Sequence, residues 1–125
     1  MKIKSITPQI RTNDMASSVL FYTQALGFTV EFNYEDLYVG LRSGDHSIHL
    51  KFVDEKDPSI PYVEEGGHLH LYFGTEGVAE LAQQLKAKGV PLVKDVHETA
   101  WQTREFIIND DQGHTLYFGE PINQA

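Results

Sequence analysis

The sequence predicts an α+β fold of two βαβββ modules forming a curved mixed sheet with helices on the outside. Two observations carry that reading: two amphipathic helical stretches, each closed by a glycine, and a strand-helix-strand-strand-strand order that occurs twice along the chain. At 125 residues the chain has the length of one ordinary domain, with enough material for a core without metal or disulfide staples.

The first helix is expected over 15–26. Asn13 or Asp14 supplies the N-cap and Gly27 the left-handed stop. Met15, Val19, Tyr22 and Leu26 recur at helical spacing and form one apolar stripe. The second helix is expected over 76–88, with Thr75 near its start, Gly89 at its end and Val78, Leu81, Ala82 and Leu85 as its stripe. Short strands precede the helices at 6–11 and 68–73. Three strands follow each helix, at 28–34, 37–41 and 46–52, then at 91–96, 104–109 and 114–118, separated by Ser43-Gly44-Asp45 and Asp110-Asp111-Gln112-Gly113. The modules span about 1–53 and 67–120 of a single 1–125 domain, and the Pro-, Gly- and acid-rich segment 54–66 reads as their linker.

Strand parity sorts the side chains onto two surfaces. Ile48, Leu50 and Phe52, then Leu69, Leu71 and Phe73, then Leu116 and Phe118 should pack on the helices. The opposite face carries His49, His68, His70, Tyr72 and Tyr117. On a curved sheet such a lining faces a cleft and suits a small molecule, although a half-solvated sheet face with ordinary His and Tyr residues has the same pattern.

Composition removes several functions. There is no cysteine, hence no disulfide, thiolate ligand or cysteine nucleophile. The net charge of −8 argues against nucleic acid, which wants clustered Lys and Arg. It suits a cationic ligand and equally serves plain solubility. The opening Met1-Lys2-Ile3-Lys4-Ser5-Ile6 is too short and polar for a signal peptide, and no apolar run approaches a membrane span, so the protein is expected in the cytoplasm, away from membranes. Ser17 and Ser18 have no His/Asp pairing near them, the glycines form no phosphate-cradling run, and His97 and His114 read as loop or hairpin residues.

Arg11-Thr12-Asn13-Asp14-Met15 with Phe21-Tyr22-Thr23-Gln24-Ala25-Leu26-Gly27-Phe28, Gly67-His68-Leu69-His70-Leu71, and Arg104-Glu105-Phe106-Ile107-Ile108-Asn109-Asp110-Asp111-Gln112-Gly113-His114 occur in order over nearly the whole chain. Together they resemble the glyoxalase/bleomycin-resistance/dioxygenase (vicinal oxygen chelate) superfamily, and within it the metal-free bleomycin-resistance proteins most closely. That superfamily hosts lyases, dioxygenases, isomerases, thiol transferases and metal-free binders, so the resemblance speaks to fold before function.

The resemblance adds Tyr38 and Trp101 to the cleft residues His49, His68, His70 and Tyr117 as the expected ligand site. Tyr38 falls where the resistance proteins carry an aromatic. Trp101, the single tryptophan, sits one residue farther from Arg104-Glu105-Phe106 than its counterpart there. In that family two such aromatics from different subunits hold the flat part of the drug, and stacking on a planar cation is physically sound. Trp101 also has the alternative of a buried structural role. Pro8 matches a proline in a first strand exchanged between subunits, which implies a homodimer and makes arm exchange plausible.

The metal-binding positions of the superfamily fall here on Thr7, His49, His68 and Tyr117. Thr7 and Tyr117 are poor ligands for a divalent ion and no carboxylate is among the four. His49 and His68 therefore read as cleft-wall residues and only weakly as metal candidates, with no catalytic residue and no cofactor expected. The rival reading is a divalent-metal lyase or extradiol-type dioxygenase that uses His49 and His68 with a carboxylate such as Glu105 or Glu120. A third is a stand-alone regulatory or immunity module with an unrelated ligand.

Overall fold

The computed structural model describes residues 1–122. The backbone forms two compact units, the first Met1–Pro58 and the second beginning at Ser59, and each contains one βαβββ module. No helix among the described residues is long and apolar enough to cross a membrane.

The first unit contains β1 (Gln9–Thr12), α1 (Met15–Leu20), β2 (Thr29–Tyr34), β3 (Tyr38–Ser43) and β4 (His46–Phe52), with α1 running on into a π-helical turn over Phe21–Ala25. Its mixed sheet has the order β1-β4-β3-β2. β1 runs parallel to β4 and the remaining neighbours are antiparallel. The Asp14 carboxylate accepts the Ser17 N–H and caps α1, as the sequence suggested. Gly27 ends the helical stretch at φ 77°, a conformation that favours glycine. The wide turn coincides with Thr23, whose hydroxyl donates to the Val19 carbonyl at 2.7 Å. Back-bonding of this kind loosens the helical ladder.

Strand β1 starts three residues later than the sequence suggested. Pro8 has no N–H for the ladder, and its carbonyl instead accepts from His49 at 2.9 Å. Pairing then begins with Gln9 beside His49. Ile10, Thr12, Val39, Leu41, Ile48 and Leu50 are buried on one face with Met15, Ser18 and Tyr22. The Ser18 hydroxyl donates to Thr12 Oγ1 at 2.7 Å, so α1 covers that face and the buried hydroxyls satisfy one another.

The second unit contains α2 (Ile60–Glu64), β5 (Leu71–Gly74), α3 (Val78–Ala87), β6 (Leu92–Glu98), β7 (Thr103–Asn109) and β8 (Thr115–Pro121). Its sheet repeats the order of the first, β5-β8-β7-β6, again with one parallel pair, β5 beside β8. Helix α2 lies inside the segment read as linker, and Ile60 at its start is 5% exposed. Phe106, Ile108, Leu116 and Phe118 are buried with Val78, Ala82 and Leu85 of α3. Phe118 joins Phe106 in a stacked pair at 5.1 Å and meets Phe73 at 5.0 Å.

One expectation fails here. His68, Leu69 and His70 lie outside β5. The chain leaves α2 through Gly66 at φ 98° and His68 at φ 61°, a left-handed step that breaks extended backbone before Leu71. Leu69 is therefore 81% exposed and does not pack under the helix. Thr75 lies ahead of α3 and does not cap it. Gly77 occupies the N-cap position without a side chain, and Glu120 of β8 accepts the Val78 N–H at 2.8 Å. That carboxylate does an N-cap's work from across the module, on the favourable end of the helix dipole. At the other end Gly89 and Val90 donate to the Lys86 and Leu85 carbonyls, a Schellman closure.

Candidate functional site

The sheet face turned away from α1 is built by register. Gln9, His49 and Gly40 lie side by side across β1, β4 and β3, and Phe32 of β2 pairs with Gly40. Glycine is required at 40, since a Cβ there would lie 2.2 Å from Phe32 Cε2. The Phe32 ring can thus lie flat across the strand, parallel to Tyr38 at 6.1 Å and edge-on to His49 at 5.3 Å. Tyr38 also meets His49 edge-on at 5.2 Å. One ring surface of Tyr38 is accordingly engaged by Phe32, which parity alone did not reveal.

A polar chain crosses this aromatic cluster. Gln9 Nε2 donates to Tyr38 Oη at 3.2 Å, and Tyr38 Oη lies 2.8 Å from His49 Nδ1. Tyr38 Oη, while accepting from Gln9, can either donate to Nδ1 or accept from it, so the His49 tautomer sets which ring nitrogen is left as a donor toward the cleft.

The corresponding face of the second unit carries Tyr72, Tyr117, Glu105 and Thr103, with His70 just ahead of β5. Tyr72 pairs with Tyr117, and Glu105 with Gly119. His70 Nε2 lies 3.0 Å from the Val63 carbonyl and its ring is edge-on to Tyr117 at 5.4 Å. His70 therefore fastens α2 to the sheet through the nitrogen that a ligand would otherwise meet. Glu105 is only 4% exposed. Its Oε2 accepts from the Thr103 hydroxyl at 2.8 Å, which in turn lies 2.6 Å from Thr99 Oγ1. Burial pushes the Tyr72 phenol above its ordinary range, and its hydrogen bond to Glu105 and that carboxylate's charge push the same way, against a smaller opposing hydrogen bond from Thr103.

The remaining sequence candidates scatter. Trp101 lies in the β6–β7 turn and is 71% exposed, which excludes a packed core role within its module. The turn holds its shape without the indole, through Thr99 N–H to Thr103 O and Gln102 N–H to Thr99 O. His68 is exposed in the bend before β5, and Tyr117 is half-buried on the sheet face. Thr7 is half-buried ahead of β1. Glu120, considered as a metal carboxylate, is turned to the helix side and committed to α3 and Arg104. Among the described residues no group of three or more His, Asp or Glu side chains is gathered as for a metal. Phe32 and Gln9 are the site residues that sequence reasoning passed over, together with the juxtaposition of Tyr72 and Glu105, each of which it named alone. The signal for Phe32 was a glycine opposite it in the neighbouring strand.

Residues 2–118 match the model of the Glyoxalase/Bleomycin resistance protein/Dioxygenase superfamily, and the chain belongs to that superfamily. No curated protein sequence matches it. Among solved structures it is similar to a glyoxalase/bleomycin resistance protein/dioxygenase from Alicyclobacillus acidocaldarius, with 16% identity, a TM-score of 0.79 and coverage of 94% of this chain and 91% of the other. It is similar at TM-score 0.76 and 19% identity to a bleomycin resistance determinant encoded on the transposon Tn5, over 95% and 98% of the two chains. It is also similar to a lactoylglutathione lyase from Agrobacterium tumefaciens, at TM-score 0.74 and 17% identity over 95% of each chain. At these identities the likeness is one of fold, and it spans a resistance determinant and a lyase alike.

Proposed function

We propose that this protein is a metal-free binder of bleomycin-resistance type, sequestering a planar cationic small molecule at the interface of a homodimer. The observation that carries the reading is Trp101, a large indole held 71% exposed on a hydrogen-bonded turn. An exposed tryptophan contributes little to its own fold and offers an open face to a flat ligand. In the first unit Phe32, Tyr38 and His49 form an aromatic cluster of their own, and the net charge of −8 attracts a cation.

The donor set supports binding without metal. Thr7, His49, His68 and Tyr117 include no carboxylate, and Thr7 and Tyr117 are poor ligands for a divalent ion. Sequestration needs affinity and no acid, base or nucleophile. Dimerisation would provide the second aromatic face, and Pro8 ahead of β1 is compatible with an exchanged arm.

The test is a calorimetric titration with metal-free bleomycin, beside metal analysis of the purified protein and light scattering. Saturable binding at one site per chain, well under one equivalent of Zn, Ni, Fe or Mn, and a dimer mass are expected. Stoichiometric metal that disappears in His49→Ala or His68→Ala would replace this reading with the metal-dependent lyase or dioxygenase.

A further inference from the structure

Glu105 is a carboxyl group buried on a sheet face with hydroxyls as its partners. The Thr103 hydroxyl donates to it, and the Tyr72 phenol lies beside it over Gly119, where an added Cβ would meet both Tyr72 Oη and Glu105 Cγ. Among the described residues no lysine or arginine forms an ion pair with it. The adjacent Arg104 projects from the other side of β7, where it meets Glu98 and Glu120 at 3.5 Å each. His97 stands opposite Glu105 in the ladder, and its Nδ1 lies 2.9 Å from the Asp95 carbonyl. A carboxylate taken out of water ordinarily costs several kcal/mol unless a cation compensates it. This one lies directly behind a tyrosine that is 49% exposed.

We infer that Tyr72 and Glu105 form a subsite for a ligand's cationic group, an amidinium, guanidinium or ammonium, and that the ligand supplies the counter-charge Glu105 lacks. The inference rests on reading this chain as a binder and names the group that selects its ligand. Tyr72 works in two ways. Its phenol oxygen, held beside the Glu105 carboxyl over Gly119, can accept an N–H from outside. Its ring, backed by the carboxylate, presents a face that favours a cation. Gly119 is the structural condition for both, because a Cβ there would lie 2.0 Å from Tyr72 Oη and 3.1 Å from Glu105 Cγ. Only with glycine at 119 can the phenol lie down across the strand to reach the acid. A flat cation is the chemistry that uses the ring face and the buried charge together.

Benzamidine and its neutral isostere benzamide are suitable probes, followed by the ring proton shifts of Tyr72 in the intact protein. Benzamidine should bind at least about ten-fold more tightly than benzamide, since a charge-assisted hydrogen bond or a cation–π contact is each of that order. Glu105→Gln keeps size and hydrogen bonding and should abolish the discrimination. Tyr72→Phe, at an exposed position, should weaken benzamidine several-fold while the protein remains folded. Equal affinity for the two probes in the wild type, or discrimination that survives in Glu105→Gln, overturns the inference. Benzamidine discrimination without any binding of bleomycin overturns only the bleomycin-type reading, so the two failures are separable.

Discussion

The phenol of Tyr72 lies across Gly119 so closely that one added methyl at 119 would meet Oη at 2.0 Å. The obstructed atom is the far end of a half-exposed side chain, which can swing into solvent. Gly119→Ala should therefore cost the fold little, under about 1 kcal/mol, because alanine is no worse than glycine in a strand. It should nevertheless lift Tyr72 off Glu105. Urea denaturation would measure the first effect, and ultraviolet titration of the phenols the second. A large loss of stability with an unchanged Tyr72 titration contradicts the assignment.

The raised pKa of Tyr72 has a defined consequence for stability. Between the ordinary tyrosine value of about 10 and the higher value in the fold, the native state holds a proton that the unfolded chain has released. Stability thus has its full Tyr72 contribution below the unfolded value and loses it as pH rises through the folded one. Denaturant midpoints should fall above pH 10 in the wild type, and less so in Tyr72→Phe. Glu105→Gln should bring the Tyr72 titration down toward the ordinary range, leaving the part due to burial.

Cross-strand pairs of this kind explain what could and could not be read from the sequence. The helix stops at Gly27 and Gly89 were legible, because a glycine ending an apolar stripe has a local meaning. The burial of Ile48, Leu50, Leu116 and Phe118 was legible from alternation alone. Phe32 over Gly40 and Tyr72 over Gly119 depend on which residue of one strand stands beside which of the next, and alternation contains no register. Leu69 was misplaced for a local reason. The left-handed step at His68 carries no strong signal, since the preceding Gly66-Gly67 could as well have ended the turn. Glu120 as the cap of α3 was beyond reach, since its partner Val78 lies in an element far away in sequence.

That cap is itself testable. Glu120→Ala removes both the acceptor of the Val78 N–H and a carboxylate near the positive end of α3. It should cost roughly 1–2 kcal/mol in urea denaturation, the usual worth of an N-cap with a favourable charge. Glu120→Gln should lose only part of this, because the amide oxygen can still accept.

The protonation of His49 can be observed directly. A Tyr38 hydroxyl that accepts from Gln9 and donates to His49 Nδ1 leaves the neutral ring's proton on Nε2. Two-dimensional ¹⁵N–¹H spectra of the neutral imidazole should then show an acceptor-type Nδ1 and a protonated Nε2. Tyr38→Phe removes the donor to Nδ1 and should mix the tautomers. A protonated Nδ1 in the neutral wild-type ring would reverse the chain and leave Nε2 available to a metal.

Trp101 gives the sharpest separation between fold and function. It is the only tryptophan, so its emission needs no deconvolution. At 71% exposure it should fluoresce as a hydrated indole and be readily quenched by iodide. A planar cation stacking on it should shift or quench that emission and protect it from iodide. Trp101→Ala removes one stacking face worth about 1–2 kcal/mol, which lowers bleomycin affinity roughly ten-fold by the usual conversion. The same substitution should leave stability within about 0.5 kcal/mol, as for other exposed positions. Truncating a packed tryptophan would instead cost about 3–5 kcal/mol. Stability is thus the control for affinity: a large fall in the denaturation midpoint means that the indole is buried in the assembled protein for structural reasons. Wild-type emission that is unmoved by saturating bleomycin removes Trp101 from the ligand site, whatever its stability effect.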